Sequence, residues 1–180
     1  MPVILRRTEK LAAVLPVTTA TPEDSDTALG DWYVNRLVVD RQPLLLLVSA
    51  LTLLPIVVPG RDVRTLPVRL PDLVRQRLQR LYLPGEWIDA EVAAMAPVTV
   101  AKTASRSVLG VMNDFAHGIP YHLSRGWDEV SLTFLGDQLA TTPIFASGPR
   151  DGVVVPQEAT PKRMWARWGS RAGPTEVGRI

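Results

Sequence analysis

The segment KTASRSVLGVMNDFAHG, residues 102–118, concentrates the residue types of this chain that could do chemistry. At about 100° per residue, Arg106, Gly110, Asn113 and His117 fall at about 0, 40, 340 and 20° on a helical wheel. They form one narrow polar strip, with Ser107 and Asp114 at its margin. Val108, Leu109, Met112, Phe115 and Ala116 form an apolar stripe on another side, so a half-buried helix with a solvated face explains most of the pattern. Two residues do not fit. Glycine in a helix interior costs about 1 kcal/mol relative to alanine, so Gly110 requires a reason such as close approach of a backbone or a ligand. Arg106 would occupy the first turn, where the helix dipole disfavours a cation by about 0.3–1 kcal/mol. An anion at the helix start removes that conflict. Backbone N–H groups, the hydroxyls of Thr103, Ser105 and Ser107, and the charges of Arg106 and Lys102 would all serve it. The alternative is a purely structural cap with Arg106 paired to a carboxylate.

LGDWYVN, residues 29–35, is the second informative stretch. In extended form Asp31, Tyr33 and Asn35 point one way, and Trp32 and Val34 the other. Structurally, Trp32 belongs in a core and Asn35 satisfies a loop. Functionally, Asp31 and Asn35 join Arg106 and Asn113 in one pocket, with Lys10 within reach. The candidate ligand-binding set is therefore Lys10, Asn35, Lys102, Thr103, Arg106, Ser107, Gly110 and Asn113. Asp114 and His117 are candidates for acid or base work on a phosphate-containing substrate, with Arg106 stabilising charge. No metal site is expected. The two histidines, His117 and His122, are five apart and no cysteine completes a zinc set. The acidic loop lacks the calcium pattern, and the nucleophile-elbow, dinucleotide and P-loop motifs are missing.

These residues need elements to hold them. The 180 residues fit one domain, and 46% hydrophobic with 21% charged is an ordinary globular balance. The absence of cysteine removes disulfides and thiol nucleophiles, and agrees with the cytoplasmic location expected here. MPVILRRTEK lacks the order of a secretory signal. PLLLLVSALTLLPIVVP has 15 residues between its outer prolines, short of the ~17 a membrane helix needs, so it reads as two buried strands and no membrane is expected. Val3–Leu5 predicts a strand and TEKLAAVLP a short helix capped by Thr8. Residues 31–62 predict three strands, with turns at DRQP and at Ser49–Thr52. Helices follow from LPDLVRQRLQRLYLPG and GEWIDAEVAAMAP, then a strand from VTVAK, the helix after residue 105, and another from WDEVSLTFLGDQLATTP. Early strands and later helices indicate an α+β single domain with a small, mainly antiparallel sheet and helices packed on it. The division expected is a domain over 1–149 and a basic, Trp-containing C-terminal extension over 150–180. That extension has six basic residues against three acidic ones, a charge of +3, and the remainder has 14 against 15, a charge of −1. Lys162, Arg163, Arg167 and Arg171 interleave with Trp165 and Trp168, a composition suited to nucleic acid or to a protein partner through residues 162–171.

Taken together, TEKL, LGDWYVN, the apolar double strand and KTASRSVLGVMNDF resemble a prokaryotic domain family catalogued only as a domain of unknown function. The family pattern is T-x-K-L, then L-G-D-W-Y-x-N, then K-T-x-x-R-S-V-L-G-x-M-N-D, and the resemblance covers roughly residues 1–145. It carries Thr8, Lys10, Asp31, Trp32, Asn35, Lys102, Thr103, Arg106, Ser107, Gly110, Asn113 and Asp114 onto motif positions. It implies no activity, cofactor or substrate. Between the apolar strands the family often has a polar N-E-R-T-like turn, where this chain has SALT and keeps only Thr52. Of the functions open to such a chain, a binding module for an anionic ligand (phosphate, nucleotide or nucleic acid) leads. An enzyme acting on a phosphate-containing substrate and a partner-recruiting structural protein follow.

Overall fold

The computed structural model describes residues 3–18, 25–123, 127–145 and 152–171. Five strands, β1 (Ile4–Arg7), β2 (Trp32–Val39), β3 (Gln42–Ser49), β4 (Pro55–Pro59) and β5 (Thr99–Lys102), lie side by side in the order β4-β3-β2-β1-β5. The β2–β3 and β3–β4 pairs are antiparallel, but β1 runs parallel to both β2 and β5. The main sheet of this single α+β domain is thus mixed, which corrects the mainly antiparallel sheet expected above. Hairpins announce themselves through local turn residues, as Asp40 and Arg41 do here with φ of 48 and 66°. A parallel pairing has no such local mark. Where TEKLAAVLP predicts a short helix between β1 and β2, the described part of that link holds only a 3-10 turn, Glu9–Leu11.

Helices cover both faces. α1 (Leu66–Arg80), α2 (Gly85–Met95) and α5 (Pro156–Trp168) bury Leu70, Val74, Ile88 and Met164 against Leu5, Trp32, Val34, Leu45 and Leu47. α3 (Arg106–His122) and α4 (Glu129–Ala140) bury Val111, Phe115, Leu132 and Leu135 against Tyr33, Leu44, Leu46 and Val48. A strand covered on both sides needs apolar residues at every position, which is why Leu44–Val48 shows no alternation. α1 begins at Leu66, ahead of the expected start at Leu70, and Pro71 lies inside it. Beyond α4, β6 (Ile144–Phe145) and β7 (Val153–Val154) form a short antiparallel ribbon. No described helix is long and apolar enough to cross a membrane.

Part of the expected extension is built into this core. In α5, Pro156, Thr160, Met164 and Trp168 recur every four residues and are all buried. The Trp168 indole N–H donates to Glu91 Oε2 at 2.8 Å. Glu91, fully buried on α2, also accepts from the Ala28 and Leu29 N–H groups at 2.8 and 3.0 Å. Thr160 Oγ1 donates to Thr52 Oγ1 at 3.1 Å, and Thr52 is 2.8 Å from Ser49 Oγ, which accepts from Leu54 N–H. A polar SALT turn with no charge is therefore anchored through its hydroxyls. Residues 150–151 and 172–180 of the extension lie outside the described residues.

Candidate functional site

β1 and β5 are parallel neighbours, so their C-terminal ends open at the same edge of the sheet. The chain leaving β1 places Leu11 and Leu15 on the α1–α2–α5 face, whereas the chain leaving β5 enters α3 on the opposite face. Strands whose following segments depart to opposite faces leave a crevice between them, the usual ligand position in open α/β sheets. Lys102 ends β5, Thr103 and Arg106 follow it, and Lys10 follows β1.

Several contacts hold the crevice in shape. Arg6 on β1 donates from Nε to Asp31 Oδ2 at 2.7 Å and from a terminal N–H to the Lys102 carbonyl at 3.2 Å. One side chain thus ties β1 to the start of β2 and the end of β5. Tyr33 Oη accepts the Ser105 N–H at 3.1 Å and orients the junction into α3. Ser105 is the N-cap residue, and its Oγ accepts from Val108 N–H at 3.3 Å. Thr8 does not cap the 3-10 turn after it. Its Oγ1 donates instead to Asn35 Oδ1 at 2.9 Å, across 27 residues of sequence.

Among the described residues, Lys10, Lys102 and Arg106 are exposed and join no ion pair. The capping half of the structural alternative is present in Ser105, but no carboxylate among the described residues pairs with Arg106. Thr103 is half-buried and Ser107 exposed. Gly110, Asn113, Asp114 and His117 are exposed along α3, and a side chain at Gly110 would meet nothing within 4 Å. Among the described residues, no backbone therefore accounts for that glycine. At 1.5 Å per residue, Asn113 stands about 10 Å and His117 about 16 Å along the helix from Arg106, so one small ligand does not span the whole strip. Asp114 and His117 form no hydrogen bond with each other or with Asn35 among the described residues, and lack the partner that usually orients an acid or base. Two surface clefts of about 630 and 600 Å³, at the β3–β4–α4 corner and beneath the α4 C-terminus, include none of the candidate ligand-binding, acid or base residues.

A family model described as Domain of unknown function (DUF6933) matches residues 4–159. The chain belongs to this family. The DUF6933 match takes in all five sheet strands and α3, and it ends inside α5, before Trp168. It extends further than the roughly 1–145 resemblance read from motifs. No curated protein and no solved structure matches the chain.

Arg6 and Glu91 escaped the sequence reading because neither belongs to a chemical motif. Arg6 carried one usable signal: a strand covered on both faces must pair any charge it contains.

Proposed function

We propose that this DUF6933 chain is a binding module for an anionic ligand, a phosphate, nucleotide or nucleic-acid phosphate, held at the crevice between β1 and β5. The observation that carries this reading is the placement of Lys10, Lys102 and Arg106, exposed and without an ion pair among the described residues, near two strand ends whose chains part to opposite faces. Thr103, Ser107 and the first turn of α3 would supply hydrogen bonds, Asn35 orientation, and Gly110 and Asn113 the room and contacts for a longer ligand. The setting in this proposal is a prokaryotic cytoplasm, with which the cysteine-free composition agrees. Native mass spectrometry of full-length protein, purified gently without nuclease, tests it. A reproducible added mass of nucleotide or oligonucleotide size, lost in Arg106→Ala while the circular dichroism spectrum is unchanged, is the expected result. Equal binding by variant and wild type would refute it.

A second reading, recruitment of a protein partner through residues 162–171, is favoured by Trp165, which is 66% exposed beside exposed Lys162 and Arg163. The rest of that basic stretch is partly committed: Arg167 pairs with Asp26 at 2.7 Å and stacks 4.4 Å from the Trp168 ring centroid. Trp165→Ala should remove crosslinks to such a partner without lowering the melting temperature, and unchanged crosslinks would count against it.

A further inference from the structure

The sheet closes both of its outer edges. On β4, Ser49 N–H donates to Leu54 O and Gly60 N–H to Pro43 O, so Ile56 and Val58 face β3, and Pro55, Val57 and Pro59 face outward. Two of these three outward positions are prolines with no N–H, and the α4 backbone lies against them, a side chain at Gly136 falling 3.7 Å from Pro55 O. On β5, Thr18 N–H donates to Val100 O at 2.9 Å, and Val100 N–H donates to Thr18 Oγ1 at 2.7 Å. Such covering is how natural sheets suppress unwanted strand pairing.

A third edge is left open. β1 accompanies only the beginning of β2, since their register ends at Arg7↔Val34 and Thr8 N–H makes the last bond, to Val34 O at 3.2 Å. β3 continues beside β2 to Val39↔Gln42. Backbone groups alternate sides along a strand, and Val34 faces β1, so the N–H and C=O groups of Arg36 and Val38 face the space past the end of β1. Among the described residues none hydrogen-bonds to these four groups. Beside them, the Arg36 side chain is exposed and joins no ion pair among the described residues, and Val38 is 66% exposed. On the opposite face Leu37 and Val39 lean on the α3–α4 core.

We infer that Arg36–Val38 is a strand-addition site for an extended segment of a partner protein, with an acidic residue opposite Arg36 and a β-branched residue opposite Val38. Alternating N–H and C=O groups recognise a peptide backbone and no other common ligand as a ladder. Arg36 and Arg41, exposed against a single exposed Asp40, set the acidic preference, and exposed Val38 sets the apolar one. The site shares no residue with the anion set, and its ligand is held by main-chain bonds.

The test titrates the full-length protein with a labelled peptide of alternating glutamate and valine, read by fluorescence anisotropy and by amide hydrogen exchange. Saturable binding is expected, with new protection at the Arg36 and Val38 amides and no change at Leu37, whose N–H already bonds β3. Methylating the peptide's pairing amides should weaken binding about tenfold or more, as each methyl removes a donor. That measurement holds even if Val38→Pro, the matching protein variant, fails to fold. Arg36→Glu should reverse the preference toward a lysine–valine peptide. Absence of saturable binding, or binding indifferent to N-methylation, would overturn the inference. Protection of the same amides by raising the protein concentration alone would also overturn it, by making a second copy of the chain the occupant.

Discussion

Trp168 reaches across 77 residues to donate its indole N–H to Glu91 Oε2 at 2.8 Å, and so closes the last helix onto α2. Burial pushes the Glu91 carboxyl above the ordinary range, while the three N–H donors around it pull the other way. A raised folded pKa means a contribution that is full below the unfolded value of about 4.3 and is lost as pH rises through the folded value. Glu91→Gln would turn an amide N–H toward one of the three donors and is expected to destabilise by about 1–3 kcal/mol. The gap between wild type and variant should narrow as pH rises. Urea unfolding across acid to neutral pH measures both effects.

Asp137 on α4 should behave in the opposite sense. Burial raises its carboxyl, but Arg80 and Arg77 on α1 outweigh that and hold it below the ordinary range. These contacts, with an Arg77 N–H to the Gly136 carbonyl at 2.9 Å, join helices from the two faces around the β4 edge. The contribution is present above the unfolded value of about 3.9 and lost as pH falls through the depressed one. Asp137→Asn should lower the urea midpoint at neutral pH and flatten the loss of stability in acid.

Gly110→Ala separates stability from function. The site is exposed and open, so alanine is expected to stabilise α3 by about 0.5–1 kcal/mol in thermal or urea unfolding. If the proposed anionic ligand extends along α3, the same variant should bind it more weakly.

Gly60 is the reverse case. A Cβ there would stand 2.6 Å from the Pro43 carbonyl carbon and 2.8 Å from its oxygen, and both are backbone atoms that cannot swing aside. Gly60→Ala is expected to cost about 1–3 kcal/mol, because the β3–β4 ladder must shift. An unchanged melting temperature would show that the ladder end yields freely.

Local pattern alone determined much of this protein. The Asp40–Arg41 turn, the proline-bounded apolar run and the wheel of α3 announced β2–β4 and the start of α3 at Ser105, because each depends on neighbours a few residues apart. The alternation in LGDWYVN likewise set Trp32 in the core and Asp31 and Tyr33 on the other side. Tertiary structure alone decided which elements meet. The parallel partners of β1, the Arg6–Asp31 and Thr8–Asn35 contacts, and the docking of α5 on Glu91 join residues 25 to 95 positions apart. Periodicity reports that a face is buried, not what buries it. A helix whose inward stripe is proline, threonine, methionine and tryptophan therefore resembles a loose tail until the sheet it covers is in place.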